Sequence, residues 1–458
     1  MLGESHLKNL ADRILGMSQA DQTEVVVFSG SSALTRFANN YIHQNVEQED
    51  VDIRLRVVLD QSSGGAKIGI ASTNVLSDES LRALVERATE MARRQKANAD
   101  FRSLPGPPVR QAGPQPIRSV DSFVERTARC GPEERAAVVA RICDAAARAG
   151  LTAAGAFRTA VGEVTVASSL GVFAYHRDAT ADINTVVMGE TSSGHAERLS
   201  LDVGDIDGDE VAREAVDKAV RGANPVALEP GEYPVVLEEY AVADLLDFFA
   251  YLSFGAQAYQ EKRSFMSGRL GEKVMGENVS IWDDGLAPDT VPNPFDFEGV
   301  PRQRVDFVTA GVARGIAYDS YSAGKEEGRQ STGHALPAGY TFGPIPSNTF
   351  LGTGDATKED MLASIERGVW VSRFWYTRPV HPLKVVNTGM TRDGTFLIEK
   401  GRITAPIKNL RFTQSYVDAL NEVEAIGRET RLLPAIAGYS RVPALHLRRW
   451  NFTGATEF

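Results

Sequence analysis

Near the start of the chain, hydrophobic and polar residues alternate as they do in half-buried β-strands. The clearest case is "VDIRLRVVL", in which Val51, Ile53, Leu55 and Val57 share one face. The runs "TEVVVFSG", "ALTRFANN", "YIHQNVEQ" and "AKIGIAS" predict four further strands. The first part of the chain is therefore expected to form a sheet of antiparallel strands.

Helical patterns precede and follow these strands. Residues 5–16 place apolar side chains on one side, which predicts a helix. A second predicted helix opens at Ser77 or Asp78, where a capping residue precedes acids in the first turn. Between the last two strands, Gly64 and Gly65 predict a hairpin turn.

A proline-rich linker at 105–117 separates an N-terminal α/β domain, residues 1–104, from a central α/β domain at 118–226. In the central domain we predict helices at 132–149 and 208–221 and strands at 152–159, 162–168, 172–187 and 194–201. The arrangement of these strands loosely resembles that of residues 24–72, although no residue-level period supports a sequence repeat.

A third, β-rich domain is predicted over residues 230–458. In "TFLIEKGRITAPI", the letters "EKG" predict a hairpin turn between two strands. Because runs of strands precede runs of helices, the predicted fold class is α+β. It consists of an α/β N-terminal part, with antiparallel strands and helices in two sub-blocks, followed by the β-rich C-terminal domain.

Composition narrows the class of protein. The chain has 458 residues and a net charge of −11, whereas a nucleic-acid binder needs a basic face, so we expect no nucleic-acid partner. No apolar run is long enough to span a membrane, and the polar N-terminus lacks the apolar core of a signal peptide. The two cysteines, Cys130 and Cys143, are expected to be reduced thiols of a cytoplasmic protein.

Motifs for metal, nucleophile and phosphate chemistry are absent from the sequence. There is no HExxH, CxxC or GxSxG motif, and no two of the 7 histidines lie within one helical turn, so no metal site is predicted in this chain. "GTGDATKED" reads as a loop leading to a helix capped by Thr357. Asp283 and Asp284 in "SIWDDGLA" could be metal carboxylates, but the following Gly285 favours a turn.

Two loops and one helix remain as candidates for function. "STGHALP" and "PSNTFLG" place polar side chains among glycines and prolines, which is typical both of ligand-binding loops and of self-bonded turns. In "VVLEEYAVADLLDFFAYLSFGA", Asp244, Asp247 and Tyr251 share one helical face. Two carboxylates there could perform acid–base chemistry, but we favour the commoner interpretation, a solvated acidic stripe.

Several segments together, in order, resemble the TldD/PmbA family. They are "TRFANNYIHQNVEQEDVDIRLRVVLDQSSGGAKIGIAST", "EKRSFMSGRLGEKV", "PFDFEGVPRQRVDF", "STGHALP", "PSNTFLGTG" and "GTFLIEKGRITAPIKNLRFTQS". The resemblance implies the α+β architecture above and dimers that enclose a central cavity. The family has two branches, and the resemblance implies that this chain belongs to one of them. The TldD-like half carries a zinc-binding His-Glu-x-x-x-His helix completed by a cysteine near the C-terminus, and the PmbA-like (TldE) half lacks these.

The family register assigns this chain to a branch. The first histidine position falls on Asp247, the glutamate on Phe248 and the second histidine on Leu252. The C-terminal segment "LLPAIAGYSRVPALHLRRWNF" has no cysteine, and His446 does not fall at the cysteine's place. One oxygen ligand is too few for zinc, so the resemblance implies the zinc-free branch.

The resemblance thus predicts a zinc-free subunit of a heterodimeric TldD-type metallopeptidase. This half would close the proteolytic cavity and help bind unfolded or short peptides, with zinc expected in the TldD-like partner and no cofactor in this chain. Five residues are predicted to line the cavity or contact substrate: Ser331, His334, Asn348, Thr349 and Arg269. For Asn348 and Thr349 the resemblance carries the prediction, because the matching segment of the metallo half lies close to the substrate path.

Two alternatives stay open, and with them whether this chain is itself an enzyme. The first is a homodimeric, metal-free hydrolase that tailors a peptide-like product, with Asp244, Asp247 and His334 as weak candidates for acid–base groups. The second is a binding scaffold without chemistry.

Overall fold

A computed structural model describes residues 1–60, 65–107, 109–110, 113–114 and 117–456. Its helices are α1 (Glu4–Met17), α2 (Asp78–Arg94), α3 (Glu125–Ala128), α4 (Pro132–Arg148), α5 (Gly208–Arg221), α6 (Glu239–Phe249), α7 (Ala256–Gln260), α8 (Ser320–Ala323), α9 (Lys358–Ala363) and α10 (Tyr416–Asn421). Its strands are β1 (Gln22–Ala38), β2 (Tyr41–Leu59), β3 (Lys67–Thr73), β4 (Val109–Arg110), β5 (Gly113–Pro114), β6 (Thr152–Ser168), β7 (Phe173–Met188), β8 (Ser193–Ser200), β9 (Gly231–Leu237), β10 (Ile281–Asp283), β11 (Val305–Thr309), β12 (Val312–Ala313), β13 (Asn348–Leu351), β14 (Arg367–His381), β15 (Val386–Glu399), β16 (Arg402–Pro406), β17 (Leu410–Ser415), β18 (Val423–Ala435) and β19 (Gly438–Ala455).

The N-terminal part contains one six-stranded antiparallel sheet in the order β3-β2-β1-β6-β7-β8. Each half is a three-stranded meander, and β1 pairs with β6 where the halves meet. Helices α1 and α2 pack on the first half and α4 and α5 on the second. The two predicted sub-blocks therefore share a sheet, and their helix–meander–helix order explains the loose similarity in the sequence. The residue boundaries of the domains stay a prediction.

The strands are longer than the sequence pattern predicts. The runs predicted as separate strands before residue 60 form β1 and β2, and the predicted break near residue 160 lies inside the continuous strand β6. The reason is that Gly30 of β1 and Gly162 of β6 are register partners within the sheet. A Cβ on Gly30 would lie 2.3 Å from the Val161 carbonyl oxygen, so the glycine permits close approach and does not end the strand.

The predicted helix caps are present in the structure, and so is a predicted hairpin turn. Ser77 caps α2 by accepting a hydrogen bond from the Ser80 amide, and Thr357 caps α9 through the Asp360 amide. Lys400 and Gly401 take positive φ in the β15–β16 hairpin, which confirms the "EKG" turn. Strands β2 and β3 pair as predicted, with Leu59 opposite Lys67, although Gly64 lies outside the described residues.

The C-terminal part contains a closed barrel. Strands β9, β14, β15, β17 and β19 pair in sequence around the ring, and β19 also pairs with β9. Trp450 fills the interior, stacked on Phe374 at 5.0 Å between ring centroids and packed near Phe412 and Tyr416. Helix α6 follows directly after β9 and packs on β14 and β19. The predicted α+β fold class, with a β-rich C-terminal part, is confirmed.

A buried ionic cluster joins the two parts. Arg56 of β2 donates to Glu24 of β1 at 2.7 Å and to Glu298 of the C-terminal part at 3.0 Å. Burial raises the pKa of Glu24 to about 6 despite the opposing charge of Arg56.

Cys130 and Cys143 are both free thiols. None of the helices in the described ranges is long and apolar enough to cross a membrane.

Candidate functional site

Helix α6 changes geometry as it ends. After Phe249, residues 250–254 form a π-helical turn, and Gly255 begins the next segment in extended conformation. Phe249 stacks on Phe254, and Phe254 stacks on Phe307 at 4.2 Å between ring centroids. Turns of this kind occur often at functional sites, and two carboxylates, Asp244 and Asp247, lie just before this one.

Asp244 is held by Tyr416, the first residue of helix α10. The Tyr416 hydroxyl donates to Asp244 Oδ1 at 2.7 Å. Burial raises the pKa of Asp244 to about 6, although the Tyr416 hydrogen bond acts in the opposite direction. Burial and the Asp244 carboxylate also raise the pKa of Tyr416, so that hydroxyl stays protonated as a donor.

Asp247 lies one turn further along the same face. Its Oδ1 accepts the backbone N–H of Ile436, from the tip of the β18–β19 hairpin, at 3.2 Å. Burial, and then the charge of Asp244, raise the pKa of Asp247 to about 8. The interpretation as a solvated acidic stripe is therefore wrong: both carboxylates are half-buried, and only Tyr251 reaches 36% exposure.

The two carboxyl groups of the acid pair thus have different pKa values. Burial raises the pKa of Asp247, to about 8, further than that of Asp244, to about 6, so Asp244 loses its proton first as the pH rises. One group can accept a proton and the other can donate one, which is the arrangement that acid–base catalysis requires. Burial is the largest cause of both pKa shifts.

A second polar cluster surrounds His334, and it is more deeply buried. His334 Nε2 lies 3.0 Å from Asp283 Oδ1, and Nδ1 lies 2.9 Å from the Thr332 hydroxyl. The other oxygen of Asp283 accepts the amides of Ser347 and Asn348 at 2.8 and 2.7 Å. Burial would raise the pKa of Asp283, but the neighbouring His334, the charge of Arg302 and these hydrogen bonds together hold it below its usual range.

The remaining predicted residues are placed differently. Asn348 and Thr349 are both 3% exposed. The side-chain amide of Asn348 donates to the Val291 carbonyl, and the hydroxyls of Thr349 and Ser440 share a hydrogen bond of 2.6 Å. Ser331 donates to the Tyr318 carbonyl, and Arg269 lies in an exposed pair with Glu272. Asp283 thus joins His334 to Asn348, while no hydrogen bond or ion pair in the described part links these two residues to Arg269 or to the acid pair. Contact of these residues with a peptide stays a prediction.

Sequence reasoning missed Asp283 as the organiser of this cluster. The predicted turn is present, since Asp284 accepts the Leu286 amide, but Asp283 ends β10 with its side chain fully buried. The alternation in "NVSIWDD", which places Ile281 and Asp283 on the same face, was the available signal.

Comparison with known proteins places these features in a family. Models of PmbA/TldA metallopeptidase domains match over 23–92 (domain 1), 129–223 (central domain) and 230–454 (C-terminal domain). The chain belongs to the TldD/PmbA family. It is 27% identical over 251 residues to a metalloprotease TldD homolog of Haemophilus influenzae, covering 53% of this chain and 51% of that protein. It is 23% identical to metalloprotease PmbA of Escherichia coli over 433 residues, covering 91% and 89%.

The structural neighbours share the whole fold. The structure of TldE from Thermococcus kodakarensis superposes with a TM-score of 0.86 at 19% identity and covers 98% of this chain and 100% of its own. A described modulator of a DNA gyrase from Thermotoga maritima gives a TM-score of 0.84 at 19% identity over 98% and 100%. At this identity the likeness concerns the fold. The chain spans about half the length of the first curated relatives it matches.

In this TldD/PmbA-family chain, the donor set on α6 does not fit zinc. Phe248 and Leu252 are 8% and 5% exposed within the hydrophobic core, and neither carries a ligand atom. His446 lies beside Ser364, and no hydrogen bond or ion pair among the described residues links it to the acid pair. No group of three or more histidine, cysteine, aspartate or glutamate side chains that could hold a metal exists among the described residues. Two carboxylates alone do not make a zinc site.

Proposed function

We propose that this chain is a zinc-free, TldE-like subunit of a heterodimeric TldD-type metallopeptidase. The observation that carries the proposal is that Phe248 and Leu252 have hydrocarbon side chains packed into the core. In the alignment with the family's zinc motif, these two positions hold the catalytic glutamate and the second histidine of the other branch. A side chain without a lone pair cannot bind zinc or abstract a proton, so a partner with an intact His-Glu-x-x-x-His helix has to supply both.

The role of this half is then steric and electrostatic. It closes a cavity around the partner's zinc, and only unfolded or short peptides enter. Its own contribution to peptide binding comes from walls that are already formed, because the His334 and Asn348 loops are tied down by Asp283. A pre-organised wall binds an extended peptide with little further loss of conformational entropy.

The first test uses the chain alone and then with a partner. The purified chain is expected to contain zinc far below one equivalent by elemental analysis and to leave an unfolded test peptide intact. A TldD-like protein with the complete motif is expected to co-purify with it at equal stoichiometry and to gain peptidase activity. Stoichiometric zinc together with hydrolysis by the lone chain would overturn the proposal.

The divided pKa values of Asp244 and Asp247 favour a second candidate function, a homodimeric metal-free hydrolase for a peptide-like product. Under this candidate the lone chain turns over a peptide, and Asp244→Asn and Asp247→Asn each abolish turnover. Under the main proposal the same variants leave the complex's zinc-dependent activity nearly unchanged. A chain that binds the partner without changing its activity on peptides would instead be a scaffold.

A further inference from the structure

A cavity of about 470 Å³ lies beside the turn that follows β10. Three arginines line it, Arg118, Arg302 and Arg304, and its apolar wall includes Leu286, Pro288 and Pro301. Its size is in the range of small-ligand sites. The cavity lies next to the His334 cluster, because Asp284 donates its amide to Asn348 and the Gln303 amide donates to Thr332.

Arg302 is the unusual member of this wall. It is 6% exposed, and its Nε and Nη1 atoms are buried without a hydrogen-bond partner among the described residues. A buried guanidinium is expected to be hydrogen-bonded, since a buried donor without a partner has lost its hydrogen bonds to water and gained none. The charges of Asp283 and Asp296 act on it through space, but neither carboxylate bonds it in the described structure. Arg302 therefore brings to the cavity wall a positive charge whose Nε and Nη1 donors no other described residue satisfies.

The other two arginines of the wall differ in whether a carboxylate pairs them. Arg118 is exposed and has no ion-pair partner in the described ranges. Arg304 pairs with Asp306 at 2.9 Å and lies over the Trp282 ring at 4.6 Å. Asp284 is the one carboxylate in the wall, and its Oδ1 already accepts the Leu286 amide. Arg118 is thus the guanidinium of this wall that no carboxylate of the described ranges pairs, whereas Arg304 is paired with Asp306 and Arg302 feels the charges of Asp283 and Asp296.

We propose that this cavity binds a carboxylate attached to an apolar body. Guanidinium groups recognise planar oxyanions, and the leucine and proline wall beside them would stay wetted if only a small inorganic anion bound. The free C-terminus of a short apolar peptide has this chemistry. Phosphate shares the oxyanion but lacks the apolar part, so the two sources can be separated.

The test is calorimetric titration of the full-length chain without a partner. The probes are acetyl-leucyl-leucine with a free carboxylate, the same compound as its C-terminal amide, and inorganic phosphate. The free acid is expected to bind at least roughly tenfold more tightly than the amide, since a hydrogen bond to a charged group contributes about 1.5–3 kcal/mol. Equal affinity for acid and amide would overturn the proposal, and phosphate binding as tightly as the acid would overturn the apolar part of it.

Variants tie the binding to this wall. Arg302→Met is expected to abolish measurable binding of the free acid, and Gly285→Ala to weaken it strongly, because the new Cβ would lie 2.2 Å from Arg302 Cδ. Arg118→Gln, at an exposed position that does not endanger folding, should weaken binding several-fold. Arg94→Gln, on the outer surface of α2, is the matched control and should bind as the wild type. Unchanged affinity in Arg118→Gln and Arg302→Met, both folded, contradicts the site.

No zinc and no hydrolysis enter this experiment. Its outcome is therefore independent of whether the chain pairs with a metallopeptidase subunit.

Discussion

At the scale of single residues, Asp247 has the most unusual environment on helix α6. Its folded-state pKa of about 8 lies far above the ordinary value of an aspartate near 4. Between those two pH values the folded chain binds more protons than the unfolded chain, so this group makes the free energy of unfolding fall as pH rises. The contribution is complete at acid pH and is lost as pH passes through 8.

Asp247→Asn should remove that pH dependence. The amide oxygen can still accept the Ile436 N–H, and the side chain no longer ionises. Urea unfolding is expected to show the variant more stable than the wild type by about 1 kcal/mol or more at pH 9, with a smaller difference at pH 5. Asp217→Asn, on the exposed face of α5, is the control and should leave the difference between the two pH values as it is. Parallel pH profiles for Asp247→Asn and wild type would contradict the raised pKa.

Tyr416→Phe tests the other carboxylate. Loss of the hydroxyl leaves Asp244 Oδ1 without its 2.7 Å donor, and a charge-assisted bond of this kind contributes about 1.5–3 kcal/mol. The free energy of unfolding is expected to drop by that amount at pH 8, where Asp244 is ionised, and by less at pH 5. A loss that is the same at both pH values would indicate a packing defect around the barrel core and not a lost bond to a carboxylate.

These residues also show where sequence reasoning stops. The spacing of Asp244 and Asp247 on one helical face could be predicted, because it depends on the helix alone. Their burial could not, because the atoms that bond them belong to Tyr416 and to the hairpin tip at Ile436, far along the chain. A polar stripe looks the same in the sequence whether water or another strand covers it.

At the scale of elements, capped helices were predictable and long strands were not. The bounds of α2, α4 and α5 follow from local signals such as the Ser77 cap, and they agree with prediction within a residue or two. The strands β1 and β6 contain glycines that resemble strand ends, and their continuity depends on the partner strand across the sheet. The π-helical turn after α6 likewise depends on how Phe249 and Phe254 pack.

Gly30→Ala tests this account of the sheet. The added Cβ would lie 2.3 Å from the Val161 carbonyl oxygen, a backbone atom that cannot move without disturbing the β1–β6 pairing. We expect a loss of about 2–4 kcal/mol in the free energy of unfolding, in the range of strained or overpacked sites. Gly16→Ala in α1 is the matched control, because nothing lies within 4 Å of its added Cβ, and it should be neutral or slightly stabilising. Equal stability of the two variants would show that the sheet tolerates a side chain at Gly30.

At the scale of the whole molecule, the fold class could be predicted but the closure of its layers could not. The pairing of β1 with β6 joins strands on either side of the proline-rich segment, and the pairing of β9 with β19 closes the barrel between distant ends of the C-terminal part. Such contacts carry no local sequence signal. They also position α6, because Trp450 of β19 packs on Tyr416, whose hydroxyl donates to Asp244 of α6.

The Arg56 cluster is one of the links between the N-terminal sheet and the C-terminal part, and Arg56→Met tests how much it contributes to stability. Without the guanidinium, Glu24 and Glu298 are left buried and unpaired, which typically costs about 3–5 kcal/mol. The penalty should shrink at pH 5, because the pKa of Glu24 is already near 6 and a protonated carboxyl needs no cation. Combining Arg56→Met with Glu24→Gln and Glu298→Gln should restore much of the stability at pH 8. Chemical unfolding at both pH values measures this, and a triple variant no more stable than Arg56→Met would mean that the arginine acts through packing instead of charge.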